Sequence, residues 1–317
     1  MVQGITDIAG IKVGHASDFD ALTGCTVVLC EAGAVAGVDI GGAATGTQEF
    51  DTMSPLHVAG LVHGIVFAGG SAFGLEAASG VRRALEKKGV GFAMGSLRVP
   101  IVPSAILFDL GIGKSDVRPT REMGAACAAA ATAGPVVEGC IGAGTGATVG
   151  KLFGMSRAMK GGVGSAGHQM GSVKIAALAV VNAFGDVRDP RTGVLVAGAR
   201  HSPASSELVD TERLMREGQE GGLSGGNTTL VVVVTNAKLT KVSATRLAKM
   251  AQAGVLRALS PGHTMSDGDI VIALSVGNEA SNLNVLGVAA ADVVGQAIVR
   301  GVKTAKTLGG VPGLAVP

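Results

Sequence analysis

The 317 residues contain no tryptophan and no tyrosine, and only eight phenylalanines. With so few aromatic side chains, no stacking platform for single-stranded nucleic acid is expected. Charge is also scarce: 16% of residues are charged, and 26 Lys plus Arg stand against 24 Asp plus Glu, a net charge of +2. No basic field is available to attract a nucleic acid. Cysteine occurs four times, as Cys25, Cys30, Cys127 and Cys140, with no CxxC spacing. Reduced, buried thiols in a cytoplasmic protein are expected. Asp7 and Lys12 interrupt the apolar positions of the first twenty residues, so no signal peptide is read there. Residues 52–75 carry no charged side chain, but Pro55 and the Gly69-Gly70 pair suit a strand entering a turn, not a membrane helix.

Present in quantity are glycine, 51 residues without a three-residue period, and apolar side chains, 47% of the chain. Collagen and extended disorder are both excluded. Short strands are expected at 23–29, 34–40 and 61–68, and, after the turn Gly69-Gly70-Ser71, a helix through Lys88, where Leu75, Ala78, Val81 and Leu85 recur every three or four residues ahead of Gly89. Residues 104–110 fit a strand or a short helix. Residues 121–132 are alanine-rich and helical. Val173–Val181 reads as a buried strand, and about 203–226 as an exposed and partly mobile segment. Thr228–Thr235 is β-branched almost throughout, which favours a central strand covered on both faces. A helix capped by Thr240, a strand ending at Ser275 and a helix over 284–300 complete a layered α/β chain, read as one domain over 1–317.

Several motifs fail on spacing. Gly142-Ala143-Gly144-Thr145-Gly146 is not GxGxxG, and the glycine a phosphate loop needs five positions before Gly113 is Phe108. The histidines form no HExxH, so neither a metal nor another cofactor is expected.

The informative point is Asn227-Thr228, where a glycine-rich segment meets the valine-rich strand. A cut there would put a hydroxyl and a free α-amine on one residue. With a reference pKa near 7.7–8.0, that amine can serve as base for its own nucleophile. A threonine opening a strand is equally explained by β-propensity. Lys151, at the end of a glycine run, and Asn182, at the end of a buried strand, are candidate oxyanion donors. Asp267 and Asp269 share one face if that segment is extended, and can orient the hydroxyl and ammonium.

At these residues the chain resembles the S58, or P1, family of self-processing aminopeptidases and amidases, and within it the nylon-oligomer endo-amidases. The matching stretches run almost end to end. They include Ala68-Gly69-Gly70-Ser71-Ala72-Phe73-Gly74, Gly142–Lys151, Val181-Asn182-Ala183-Phe184-Gly185, Gly226-Asn227-Thr228-Thr229 and His263–Asp269. The resemblance implies a four-layer αββα fold like that of N-terminal-nucleophile hydrolases, with the connectivity shared by aminopeptidases and ornithine acetyltransferases. It implies self-cleavage at Asn227–Thr228 into chains 1–227 and 228–317. In it Thr228 is the nucleophile, Asn182 the oxyanion-hole residue, Lys151 the active-site lysine, and Asp267 and Asp269 the paired carboxylates. The expected substrates are peptides or small amides. The expected assembly is a homo-oligomer of cleaved pairs, a tetramer or larger, with no nucleic-acid or membrane partner. Two departures stand out. The aminopeptidase branch commonly has a serine nucleophile and a Ser/Glu pair, and the nylon-hydrolase branch has a tyrosine where this chain has Phe108. An N-terminal-threonine acyltransferase and a noncatalytic oligomeric binding protein are the alternative readings.

Overall fold

In the computed structural model, residues 2–221 and 226–316 are described. The chain opens with β1 (Lys12–Asp18), β2 (Thr23–Ile40), β3 (Thr47–Gln48) and β4 (Val62–Ala68), followed by helix α1 (Ala77–Lys87). A hairpin, β5 (Phe92–Met94) and β6 (Leu97–Val99), leads to β7 (Ser104–Ile106) and helix α2 (Arg121–Ala129). Then come the short β8 (Thr148–Val149) and β9 (Met159–Lys160), and the long β10 (Gly162–Met170) and β11 (Val173–Asn182). After β12 (Asp186–Arg188), β13 (Leu195–Ala197) and α3 (Thr211–Arg216), the last part holds β14 (Thr228–Ala237), α4 (Lys241–Ala258), β15 (Leu259–Ser260), β16 (Ile270–Glu279) and α5 (Leu283–Lys303).

The two strands expected at 23–29 and 34–40 are one strand of 18 residues. Gly33, at φ +91°, lets the chain kink between them without ending it. The first half of β2 lies between β1 and β4, and the second half pairs with β16. Through this shared strand the order β10-β11-β14-β16-β2-β4-β7-β3 runs on without a break.

The two halves of this sheet pack face to face, which the alternation along each strand makes possible. Leu230, Val232 and Val234 of β14 and Ala176, Leu178 and Val180 of β11 meet Val28, Ile65 and Phe67 of the other half. The odd-numbered neighbours, such as Val231, Val233, Ile175 and Val181, face Leu247, Val255, Val293 and Ile298 of α4 and α5. On the far side, Val27, Leu29 and Val66 pack on Val81 and Leu85 of α1 and Cys127 of α2. The layers therefore read helix, sheet, sheet, helix. Each fully buried valine or leucine is worth about 1.5–3 kcal/mol, so these three interfaces carry the fold. α5 is long and apolar enough to cross a membrane, but 72% of that stretch is buried, covering β10 and β11.

The valine run forms the central strand expected, and Thr240 caps α4 by accepting the Ser243 N–H. The expectation of an exposed 203–226 segment fails in part. Thr211 is buried because the Asp186 carboxylate accepts both its N–H, at 2.7 Å, and its hydroxyl, at 2.8 Å. Residues 222–225, also within that expectation, lie outside the described residues.

Candidate active site

Asn182 closes β11 and Thr228 opens β14, and the two are directly paired in the antiparallel register. Both continue the even-numbered face that looks between the sheets. β14 also pairs in parallel with β16, which brings the 267–269 segment beside the start of β14. The pairing pattern thus gathers four separate stretches of sequence at one end of the sheet sandwich.

The chain is continuous through Asn227–Thr228, and both residues are buried, so the junction is no exposed loop. Thr228 Oγ1 donates to the Asn227 carbonyl oxygen at 2.5 Å. That same oxygen accepts the Gly268 N–H at 2.7 Å. The hydroxyl therefore sits at the carbonyl it would attack, and a backbone donor already holds the oxygen that would become negative. A Cβ on Gly268 would lie 2.8 Å from Thr228 Oγ1 and 2.6 Å from the Ala44 carbonyl oxygen, which explains a glycine here. Sequence reasoning passed over Gly268, because a backbone N–H has no signature in the sequence. Its place between two aspartates was the available signal.

Asn182 is fully engaged. Its Oδ1 accepts from Lys151 Nζ at 2.9 Å and from the Thr148 N–H at 3.0 Å. Its Nδ2 donates to the Gly226 and Phe108 carbonyl oxygens at 3.1 and 3.2 Å, not to that of Asn227. Lys151 Nζ donates a second bond, to the Asn182 backbone oxygen at 3.0 Å. Burial pulls the Lys151 ammonium down to about 7, despite the charges of Asp267 and Asp109 nearby. An amine so placed can carry a proton near neutral pH.

Asp267 and Asp269 are both buried, just ahead of β16. Asp267 accepts from the Phe184 N–H at 3.2 Å and from the Thr264 N–H and hydroxyl at 3.0 and 2.6 Å. Burial raises its pKa, the charge of Asp269 raises it further, and these hydrogen bonds pull it back. Asp269 accepts the Thr229 N–H at 2.7 Å, and its other oxygen takes His263 Nδ1 at 2.9 Å and the His263 N–H at 3.1 Å. Neither carboxylate bonds the Thr228 hydroxyl in the uncut chain. Asp269 instead grips the residue after Thr228.

Two buried charges beside the site had no signal in the sequence. Asp109 accepts the Gly70 N–H and the Thr23 hydroxyl, both at 2.7 Å, and burial raises its pKa. Lys160 donates to the Thr145 carbonyl oxygen at 2.8 Å, and burial draws it down to about 8. A cavity of about 100 Å³, bordered by Phe108, Ile112, Met155 and Lys151, opens onto Gly226 and Asn227. The other histidines stand apart. His63 is buried and accepts the Ile101 N–H, whereas His57 is half-buried and accepts that of Ala59.

The sequence profile of peptidase family S58 matches residues 3–316. The chain belongs to this family. It is a hydrolase of the peptidase/amidase type. An uncharacterized aminopeptidase of Mycobacterium tuberculosis is 37% identical, over 98% of this chain and 96% of its own. A 6-aminohexanoate-oligomer endohydrolase of a Kocuria species is 30% identical, over 94% and 85%. This S58 hydrolase is therefore not tied specifically to the nylon-oligomer branch. A Burkholderia beta-aminopeptidase superposes with a TM-score of 0.72 at 24% identity, covering 99% of this chain and 91% of that one. An L-aminopeptidase D-Ala-esterase/amidase of Ochrobactrum anthropi gives 0.70 at 20%, over 98% and 88%. These two likenesses establish the fold, a variant of the N-terminal-nucleophile hydrolase αββα arrangement.

Proposed function

We propose that this S58 hydrolase cuts itself between Asn227 and Thr228 and then hydrolyses short peptides or small amides with Thr228 as nucleophile. The observation that carries the reading is the contact of Thr228 Oγ1 with the Asn227 carbonyl oxygen, itself held by the Gly268 N–H. In the first stage Oγ1 bonds to the Asn227 carbonyl carbon while the Gly268 N–H holds the oxyanion. The carbon–nitrogen bond then breaks and the proton of the hydroxyl passes to the departing nitrogen, leaving an ester. Water hydrolyses the ester and frees the Thr228 hydroxyl and α-amine. In the second stage Oγ1 attacks a substrate carbonyl, the α-amine carries the proton to the leaving amine, and water releases the acyl group.

Once Gly226 moves away, the Asn182 amide is free to join Gly268 as an oxyanion donor. Lys151 holds Asn182 in place and supplies a second route for the proton. Asp269 fixes the start of β14 through Thr229, and Asp267 fixes the Thr264–Asp267 turn and the Phe184 backbone beside it. The endohydrolase relatives favour linear oligoamides among the substrates, and the layer connectivity is read as that of the aminopeptidase and ornithine acetyltransferase group. We also place the protein in the cytoplasm, in keeping with free thiols at Cys25, Cys30 and Cys127 that burial shields. A homo-oligomer of cleaved pairs is supported by the β5–β6 hairpin, which exposes Phe92, Met94, Leu97 and Val99.

Intact-mass analysis after purification tests the reading. Wild type should resolve into chains of 227 and 90 residues, and Thr228→Ser should do the same. Thr228→Ala should remain one 31.2 kDa chain with no amidase activity. Cleavage of T228A at the same bond would refute the mechanism.

A further inference from the structure

The uncut chain carries its own acyl donor. Asn227 lies on the acyl side of the scissile bond, and its backbone is held as a strand would be. It forms a parallel bridge with Asp267, donates its N–H to the Ser266 oxygen at 3.3 Å and accepts the Gly268 N–H at 2.7 Å. An incoming substrate must bring its carbonyl to the same hydroxyl and the same donor. The backbone groups of Ser266 and Gly268 are therefore a ready edge on which the acyl residue of a substrate can pair.

The next residue back is Gly226, and its surroundings are restrictive. Its φ is +107°, in the region glycine adopts freely and other L-residues do not. A Cβ there would come within 2.4 Å of both Cβ and Cγ of Phe108. These are the root atoms of the side chain, so the ring cannot relieve the clash by rotating away. Nor is the backbone beneath them free to retreat. The Phe108 carbonyl oxygen accepts from Asn182 Nδ2, and the next residue, Asp109, is tied through its carboxylate to Gly70 and Thr23.

Building on the proposed role of Thr228, we propose that Phe108 is a specificity-determining residue that restricts the second acyl position to a group without a side chain. The second position admits glycine or an unsubstituted methylene unit. Dipeptidyl groups with a substituted L-residue at the second position are excluded by Phe108 and by the backbone angle required there.

Two measurements test this. The first is in cis: Gly226→Ala should slow self-cleavage at least about tenfold, since a non-glycine residue must either leave this backbone angle or displace Phe108, and both move the Asn227 carbonyl off its donor. Phe108→Gly combined with Gly226→Ala should recover part of that loss. The second is in trans, with the cleaved wild-type enzyme and mass spectrometry of the acyl product. Release of intact Gly-Ala from Gly-Ala-p-nitroanilide should exceed release of intact Ala-Ala from Ala-Ala-p-nitroanilide by about tenfold or more, and Phe108→Gly should narrow the ratio. Undiminished self-cleavage of G226A, or equal release of the two dipeptides, would overturn the proposal. Thr228→Ala run alongside keeps the two failures apart: a cut T228A chain indicts the nucleophile, whereas an uncut one with equal dipeptide release by wild type indicts only Phe108.

Discussion

Lys151 Nζ donates to both oxygens of Asn182, the backbone one at 3.0 Å and the side-chain one at 2.9 Å, so the amide that faces the scissile segment is aimed by a buried amine. Asn182→Ala would leave the Thr148 N–H and one Lys151 bond without an acceptor. Each buried donor so stranded costs about 1–3 kcal/mol. The expected result is a lower melting temperature together with a fall of about 10²–10³ in amidase turnover, the usual loss for an oxyanion donor. Turnover equal to wild type in a folded N182A enzyme would remove Asn182 from the reaction.

Gly268 is the second proposed donor, and its test concerns space. A methyl group at this position meets the Thr228 hydroxyl and the Ala44 carbonyl, so Gly268→Ala must displace one of them. Self-cleavage of freshly purified protein should slow by about tenfold or more, given what a misplaced oxyanion donor costs. The measure is the decay of the 31.2 kDa species with time. Wild-type kinetics in G268A would show that the contact with Asn227 is incidental.

Stability should depend on pH in a direction set by buried lysines. Lys151 is drawn down to about 7 and Lys160 to about 8, from 10.5 in the unfolded chain. Between about pH 7 and 9 the unfolded chain therefore binds more protons than the folded one, and stability rises with pH. Past the ordinary thiol range Cys30, pushed up to about 12, keeps its proton only when folded and opposes this rise. The urea midpoint should climb from pH 7 to about 8.5. Lys160→Met should flatten the climb, and a midpoint that falls over this interval would contradict the assignment.

Asp269 raises the pKa of Asp267, second only to burial. In Asp269→Asn that charge is gone, and the Asp267 carboxyl should titrate at a lower pH than in wild type. Carboxyl carbon chemical shifts followed through an acid titration would detect the change. An unmoved Asp267 would mean the carboxylates are too well screened to act as a pair.

Much of the architecture could be read in advance because hydrophobic period and β-branching are local properties. The Thr228–Thr235 run, the helix ending before Gly89 and the Thr240 cap are each written in consecutive residues. The continuity of β2 was not legible, since a glycine at φ +91° looks the same in sequence as a glycine that ends a strand. The burial of Thr211 was hidden too, because its partner Asp186 lies on a different strand. At the site, Asn182, Lys151, Asp267 and Asp269 were named from residue chemistry and family resemblance. Gly268 and the steric role of Phe108 were not, because one acts through its backbone and the other through the volume it denies to Gly226.

The sequence by itself determined the layered α/β character and the family, because composition, periodicity and motif order are all carried along the chain. Which oxygen each donor reaches was decided only by tertiary structure. The antiparallel register of β11 on β14 and the parallel register of β14 beside β16 put Thr228 and Gly268 on the Asn227 carbonyl oxygen and Asn182 on that of Gly226, one residue back. Register is a relation between distant strands, and a shift of one residue would turn the Asn182 and Thr228 side chains to the opposite face.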